Sequence, residues 1–199
     1  MGDSIAATTG STSHSLVRRA QQQDPDAWQR LSELYVPLVY EWARQTGLQS
    51  SDASDVVQEV FRAVSAKIGG FHREHADSSF RGWLWTITRN HVRLHFRRLG
   101  SRPQTTGGSE AQQQLHQQPD LLDRDSDESS VESYKGLVNR ALRLVEGDFE
   151  PKTWQAFWRL TVDGHSAAEI ADDLGMNPRS VRQAKYRVLS RLRQELEDD

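Results

Sequence analysis

Cysteine is absent from the 199 residues, which excludes disulfides, thiolate metal sites and thiol redox switching and suits a reducing cytoplasm. No apolar run approaches the roughly 18 residues that a membrane span needs, and the opening stretch, MGDSIAATTGSTSHS, lacks the basic and apolar regions of a signal peptide. A soluble, cytoplasmic protein without membrane insertion is expected. There is no His-Glu-x-x-His pattern, no nucleophile elbow and no phosphate-cradling glycine loop, so neither an enzyme nor a cofactor is expected. Carboxylates are missing from Ser78 to Ser109. That last gap is the informative one.

Inside the gap lies FRGWLWTITRNHVRLHFRR, Phe80 to Arg98, where Arg81, Arg89, Arg93, Arg97 and Arg98 stand beside Trp83, Trp85 and Phe96. Arginine neutralises phosphate, and an aromatic face receives an unstacked base, so this stretch points to nucleic acid. The net charge of -3 hides a strong segregation. Glu110 to Ser133 holds seven acids against Arg124 alone, whereas Leu174 to Gln194 holds Arg179, Arg182, Lys185, Arg187, Arg191 and Arg193 with no acid. Local fields, not the total, decide where DNA binds.

The fold class expected is all-α: two small helical domains, residues 15–99 and 134–199, joined by a flexible acidic linker over 100–133 and preceded by a disordered tail over 1–14. A hydrophobic content of 36% favours small cores over one large one. A short basic helix covers Leu16 to Gln23, and Asp24-Pro25 caps and begins the next, which Pro37 should break or kink before Gly47 stops it. Ser51 is expected to cap a helix reaching Lys67, with Ala53, Val56, Val57, Val60, Val64 and Ile68 buried and an acidic side opposite. Ser78 or Ser79 should cap the aromatic helix, whose core stripe reads Phe80, Trp83, Leu84, Ile87, His91 and Leu94. Trp28, Trp42, Trp83, Trp154 and Trp158 are expected in the core, and Trp85, off the stripe, as the exposed ring.

In the second domain Pro151 starts a helix, and Asp163-Gly164 makes a turn. Ser166 to Glu169 has the form of a capping box, Gly175 ends that short helix, and Asn177-Pro178 opens the last one. The result is a helix-turn-helix with Ile170, Leu174, Met176, Val181 and Ala184 inward. Arg179, Arg182, Gln183 and Tyr186 lie on the outer face of its second helix, suited to a major groove.

Three blocks in this order carry a family resemblance: Asp52-Ala-Ser-Asp-Val-Val-Gln-Glu-Val-Phe61, then Phe80 with Trp83-Leu-Trp-Thr-Ile-Thr-Arg-Asn90, then the helix-turn-helix from Ser166 to Leu196. The chain resembles the extracytoplasmic-function group of the sigma-seventy family of bacterial RNA polymerase sigma factors. That resemblance implies a promoter-specificity subunit with core RNA polymerase and promoter DNA as partners. Asp52, Asp55, Gln58 and Glu59 are then expected to meet core polymerase, and Arg81, Trp85, Arg89, Asn90, Arg93 and Arg97 the melted minus 10 element. Arg179, Ser180, Arg182, Gln183, Tyr186 and Arg187 are expected to read the minus 35 element. The linker would follow polymerase's positively charged nucleic-acid path. Extended at ~3.3 Å per residue it reaches ~110 Å, beyond the ~60 Å of about 17 base pairs.

Family members commonly carry a third acid where this chain has Ser54, and a phosphate there would add about 1.5 to 2 negative charges. Control by an anti-sigma protein, by a kinase acting at Ser54, or by synthesis alone stays open. Two other functions fit parts of the sequence. An autonomous helix-turn-helix regulator would bind duplex DNA tightly without polymerase. A metal-dependent nucleic-acid enzyme would use His72 with His75, or His91 with His95. Neither explains the acidic block and the aromatic-arginine block together.

Overall fold

The computed structural model describes residues 15–72, 79–100 and 127–196, with side chains described at 15–72, 79–99 and 132–196. Every regular element among them is helical: α1 (Leu16–Gln21), α2 (Pro25–Gln45), α3 (Ser50–Lys67) with a 3-10 turn at Ile68–Gly70, α4 (Phe80–Gly100), α5 (Asp127–Glu146), α6 (Pro151–Thr161), α7 (Ala167–Leu174) and α8 (Pro178–Leu196). The architecture is all-α.

Short-range chemistry sets most boundaries. Asp24 accepts from the Asp26 and Ala27 amides at the head of α2, where Pro25 lacks the N–H that would otherwise go unbonded. Ser79 takes the Gly82 amide at the head of α4. Two starts or stops differ from the sequence reading. α3 begins at Ser50 behind Gln49, which makes no side-chain cap bond, so Ser51 is not its cap. α2 runs through Pro37 without a break. Pro37 deprives the Glu33 carbonyl of its helical donor. The next carbonyl, that of Leu34, takes a 3.1 Å bond from Arg140 Nε on α5, and so this stretch of helix is braced from outside.

One continuous apolar core joins both halves of the chain. Leu31, Leu34, Tyr35, Leu38 and Val39 of α2 meet Val56, Val60 and Val64 of α3 and Phe80, Leu84, Ile87 and Val92 of α4; Leu137, Ala141 and Val145 of α5 with Val188 and Leu192 of α8 belong to the same cluster. Each large side chain so buried contributes roughly 1.5–3 kcal/mol. A second, smaller core under the helix-turn-helix contains Ala156, Ile170, Ala171, Val181 and Ala184, with Leu160, Leu174 and Met176 partly buried against it.

Three expectations about burial change. Residues 101–126 of the expected linker lie outside the described residues, but its last part, from Asp127, is the first two turns of α5. Trp158 is exposed rather than core, because its ring sits on Trp154 at the outer edge of α6. In α4 the buried positions after Ile87 are Thr88 and Val92, while Leu94 is exposed and His91 only half-buried. Thr88 is tolerated there because its hydroxyl donates to the Leu84 carbonyl at 2.8 Å, leaving a methyl toward the core.

Candidate nucleic-acid interface

At about 100° per residue, α4 divides into three faces. Phe80, Leu84, Ile87, Thr88 and Val92 face the core. His91, His95 and Arg98 continue the line of Phe80 and Leu84, but the helix they meet, α3, presents carboxylates at that level rather than valines. Glu59 accepts from Arg98 Nη1 at 2.7 Å and lies 3.3 Å from His91 Nδ1, and Asp52 lies 3.8 Å from His95 Nε2. This is why His91 does not join the core stripe. The hydrogen bond from Arg98, followed by the one with His91, holds the Glu59 carboxyl below the ordinary glutamate range against the opposing effect of burial.

The third face is the candidate interface. Arg81, Trp85, Arg89, Arg93 and Arg97 recur every four residues, forming a ridge that winds along the helix, with Asn90 exposed beside it. Arg97 is exposed, and Arg81, Arg89 and Arg93 are half-buried. Trp85 is not the free ring expected from the sequence. It stands edge-on against Trp42 of α2, centroids 5.0 Å apart at 73°, and leaves only part of its surface to solvent. Trp83 likewise packs on Phe71 and Phe80. Arg81 lies between two rings, its guanidinium carbon 5.7 Å from the centroid of Trp42 and 5.9 Å from that of Tyr134. Its Nε is buried and meets no hydrogen-bond acceptor among the described residues.

On α3, Asp55 and Gln58 are exposed while Asp52 and Glu59 are half-buried in the seam with α4. The acidic side is therefore divided: two positions face solvent and two are engaged by bases of the neighbouring helix. Ser54 is exposed, and its hydroxyl donates to the Ser50 carbonyl at 2.9 Å. His72 is exposed, and His75 lies outside the described residues. His91 and His95 each face a carboxylate of α3, and no group of three metal-binding side chains occurs among the described residues.

The helix-turn-helix is built locally. Ser166 Oγ accepts from the Glu169 amide while the Glu169 carboxylate accepts from the Ser166 amide, a reciprocal cap that fixes the first turn of α7. Gly175 closes α7 at φ 62°, in the left-handed region, and Asn177 Oδ1 takes the Ser180 amide at 2.7 Å to open α8. Arg179, Arg182, Gln183, Tyr186 and Arg187 are exposed on the outward face of α8, and Ser180 is half-buried. Tyr186 is 72% exposed, and such a large unpartnered ring has contact surface to offer. No helix among the described residues is long and apolar enough to cross a membrane.

The sequence reading missed Tyr134 and Trp42 as the neighbours of Arg81, and His91, His95 and Arg98 as partners of the acidic helix. The spacing of the last three, four and then three residues, was visible as one helix stripe. What it faced was not.

Known proteins match the chain over this region and beyond it. The family model for sigma-70 region 2 matches residues 31–102, which contain the acidic side of α3 and the whole arginine ridge of α4. The chain is 30% identical over 186 residues to the ECF RNA polymerase sigma factor BldN of Streptomyces coelicolor, an alignment covering 92% of this chain and 66% of that protein. It is 34% identical over 86 residues to the RNA polymerase sigma factor NccH of Alcaligenes xylosoxydans xylosoxydans, covering 43% of this chain and 45% of that one. The alignments thus span just under two thirds and just under half the length of these relatives.

Proposed function

The chain belongs to the extracytoplasmic-function group of the sigma-seventy family, and from that premise we propose that it is a promoter-recognition subunit that joins bacterial core RNA polymerase in the cytoplasm and directs transcription initiation. It works by binding, without catalysis of its own. The observation that carries this reading is the ridge of Arg81, Trp85, Arg89, Arg93 and Arg97 with exposed Asn90 beside it, lying within the segment matched to sigma-70 region 2.

In this reading the two halves act as separate units. Arg81, Arg89, Arg93 and Arg97 neutralise phosphates of the minus 10 strand, and Asn90 with the open side of Trp85 receives an unstacked base. Stacking and arginine contacts offset the few kcal/mol that extruding a base costs. Asp55 and Gln58, with Asp52 and Glu59 beside them, meet a basic surface of core polymerase. Arg179, Ser180, Arg182, Gln183, Tyr186 and Arg187 read duplex DNA at minus 35 through the major groove.

The test is reconstitution with core polymerase followed by selection of transcribed promoters from a genomic library. Recovery of promoters sharing two spaced elements supports the reading. Tight duplex binding that ignores polymerase would instead make the protein an autonomous regulator.

A further inference from the structure

Trp42 is the last large residue on the buried stripe of α2, after Leu31, Leu34, Tyr35, Leu38 and Val39, and only 5% of it is exposed. It supports two consecutive steps of the arginine ridge. The guanidinium carbon of Arg81 stands 5.7 Å from its ring centroid, and the ring of Trp85, one helical turn further along α4, meets it at 5.0 Å and 73°. All three residues belong to the segment matched to sigma-70 region 2. One buried ring therefore touches both the first cation of the ridge and its aromatic member.

Arg81 is held differently from Arg98 at the other end of the same helix. Arg98 spends its Nη1 on Glu59, whereas among the described residues no carboxylate pairs with Arg81, and its buried Nε meets no acceptor. A ring face attracts a guanidinium through its quadrupole and fixes the plane of that group without using any of its five N–H donors. An arginine so held keeps its donors for a ligand, and it loses less freedom when it binds one. Trp85 gains in the same way. Its edge-on contact fixes the angle of the ring and leaves part of the surface open to solvent.

We infer that Trp42 is a positioning residue for the minus 10 element: too deep to touch nucleic acid itself, it sets the plane of the Arg81 guanidinium and the angle of the Trp85 ring before the strand arrives. The inference rests on the proposed function, because α4 meets the strand only in that reading. Packing alone does not call for a tryptophan here. Leucine fills the same stripe of α2 at Leu31, Leu34 and Leu38, and what it lacks is a π face for a cation. Tyr134 of α5 offers Arg81 a second face at 5.9 Å, but that ring is 51% exposed and lies outside the matched segment, so its contribution is separable by mutation.

The test alters the ring face and leaves its shape alone. Fluorinated tryptophans in place of Trp42 keep the form of the buried ring, while fluorine withdraws electron density from its face. The full-length chain, joined to core polymerase, is titrated with a fluorescent single-stranded oligonucleotide carrying the minus 10 sequence of a promoter recovered in the selection described above. Affinity should fall step by step with the number of fluorines, by about 2- to 5-fold in all. The series should be flat in an Arg81→Ala chain and should keep its grading in a Tyr134→Ala chain. Trp42→Phe, which retains a π face, should bind the strand more tightly than Trp42→Leu, with circular dichroism checking that both variants fold; the fluorine series decides the matter if Trp42→Leu does not. Affinity that is constant through the series, that falls as steeply without Arg81, or that loses its grading without Tyr134 overturns the role of Trp42 and leaves the proposed function standing. Failure of the wild-type complex to form or to bind the strand is the separate outcome that removes the proposed function, and this role with it.

Discussion

Arg98 Nη1 donates to Glu59 Oε1 at 2.7 Å, so a carboxylate on the candidate polymerase-facing helix is already held by the basic end of the candidate DNA-facing helix. Its pKa is lowered, so its stabilising effect is fully present above the unfolded value near 4.3 and is lost as pH falls through the lower folded value. Thermal midpoints of wild type and Glu59→Gln measured from pH 3 to 8 should differ by a constant amount above about pH 5 and converge below it. A difference that persists at pH 3 contradicts the pairing.

The left-handed Gly175 should resist substitution for conformational reasons alone, since a Cβ there would meet nothing within 4 Å. Gly175→Ala should cost about 1–2 kcal/mol, and Gly175→Asn less, because asparagine visits that region more readily. Denaturant unfolding of the two variants checks the order.

Arg179, Arg182 and Gln183 should determine the upstream element. Replacing Arg179 or Arg182 with Ala should relax selection at single positions by ~1–3 kcal/mol without changing the downstream element. Promoter selection with each variant reads this, and an unchanged upstream sequence would remove α8 from base recognition.

Trp85 and Asn90 should separate packing from strand opening. Because Trp85 leans on Trp42, Trp85→Ala should lower the thermal midpoint, whereas exposed Asn90→Ala should not. Both variants should transcribe better from templates mismatched at minus 10 than from duplex, because pre-opening removes part of the unstacking cost. Equal defects on both templates would assign Trp85 to the helix interface with Trp42 and nothing more.

What was legible in the sequence was local. Asp24-Pro25, the Ser166 and Glu169 cap, Gly175 and Asn177-Pro178 define their turns through neighbours four residues away or fewer, and the structure has each of them. The third turn of α4 was not legible, because His91 and Thr88 both fit a helix stripe and the choice falls to the carboxylates of α3. Nor was Trp85, whose burial depends on Trp42 from another helix. The pairing of Arg30 with Asp148 at 3.1 Å and Glu195 at 2.7 Å, and of Arg191 with Asp148 at 2.8 Å, lies beyond pattern reading altogether. Its members look like ordinary solvated charges until the fold brings them together.

α8 is embedded at both ends in different material. Val181 and Ala184 seat its first turns in the small core, and Val188, Leu192 and Glu195 anchor its far end among α1, α2 and α5. A 19-residue helix is a stiff rod of ~28 Å. A tilt of about 5° at the anchored end therefore sweeps the tip through ~2.4 Å, close to the length of a hydrogen bond. In the proposed function, side chains near Leu192 that pack on α5, though remote from any base, would set the aim of Arg179 and Arg182 in the way a mounting sets a gauge needle. Changes there would alter which bases are read while leaving every reading residue in place.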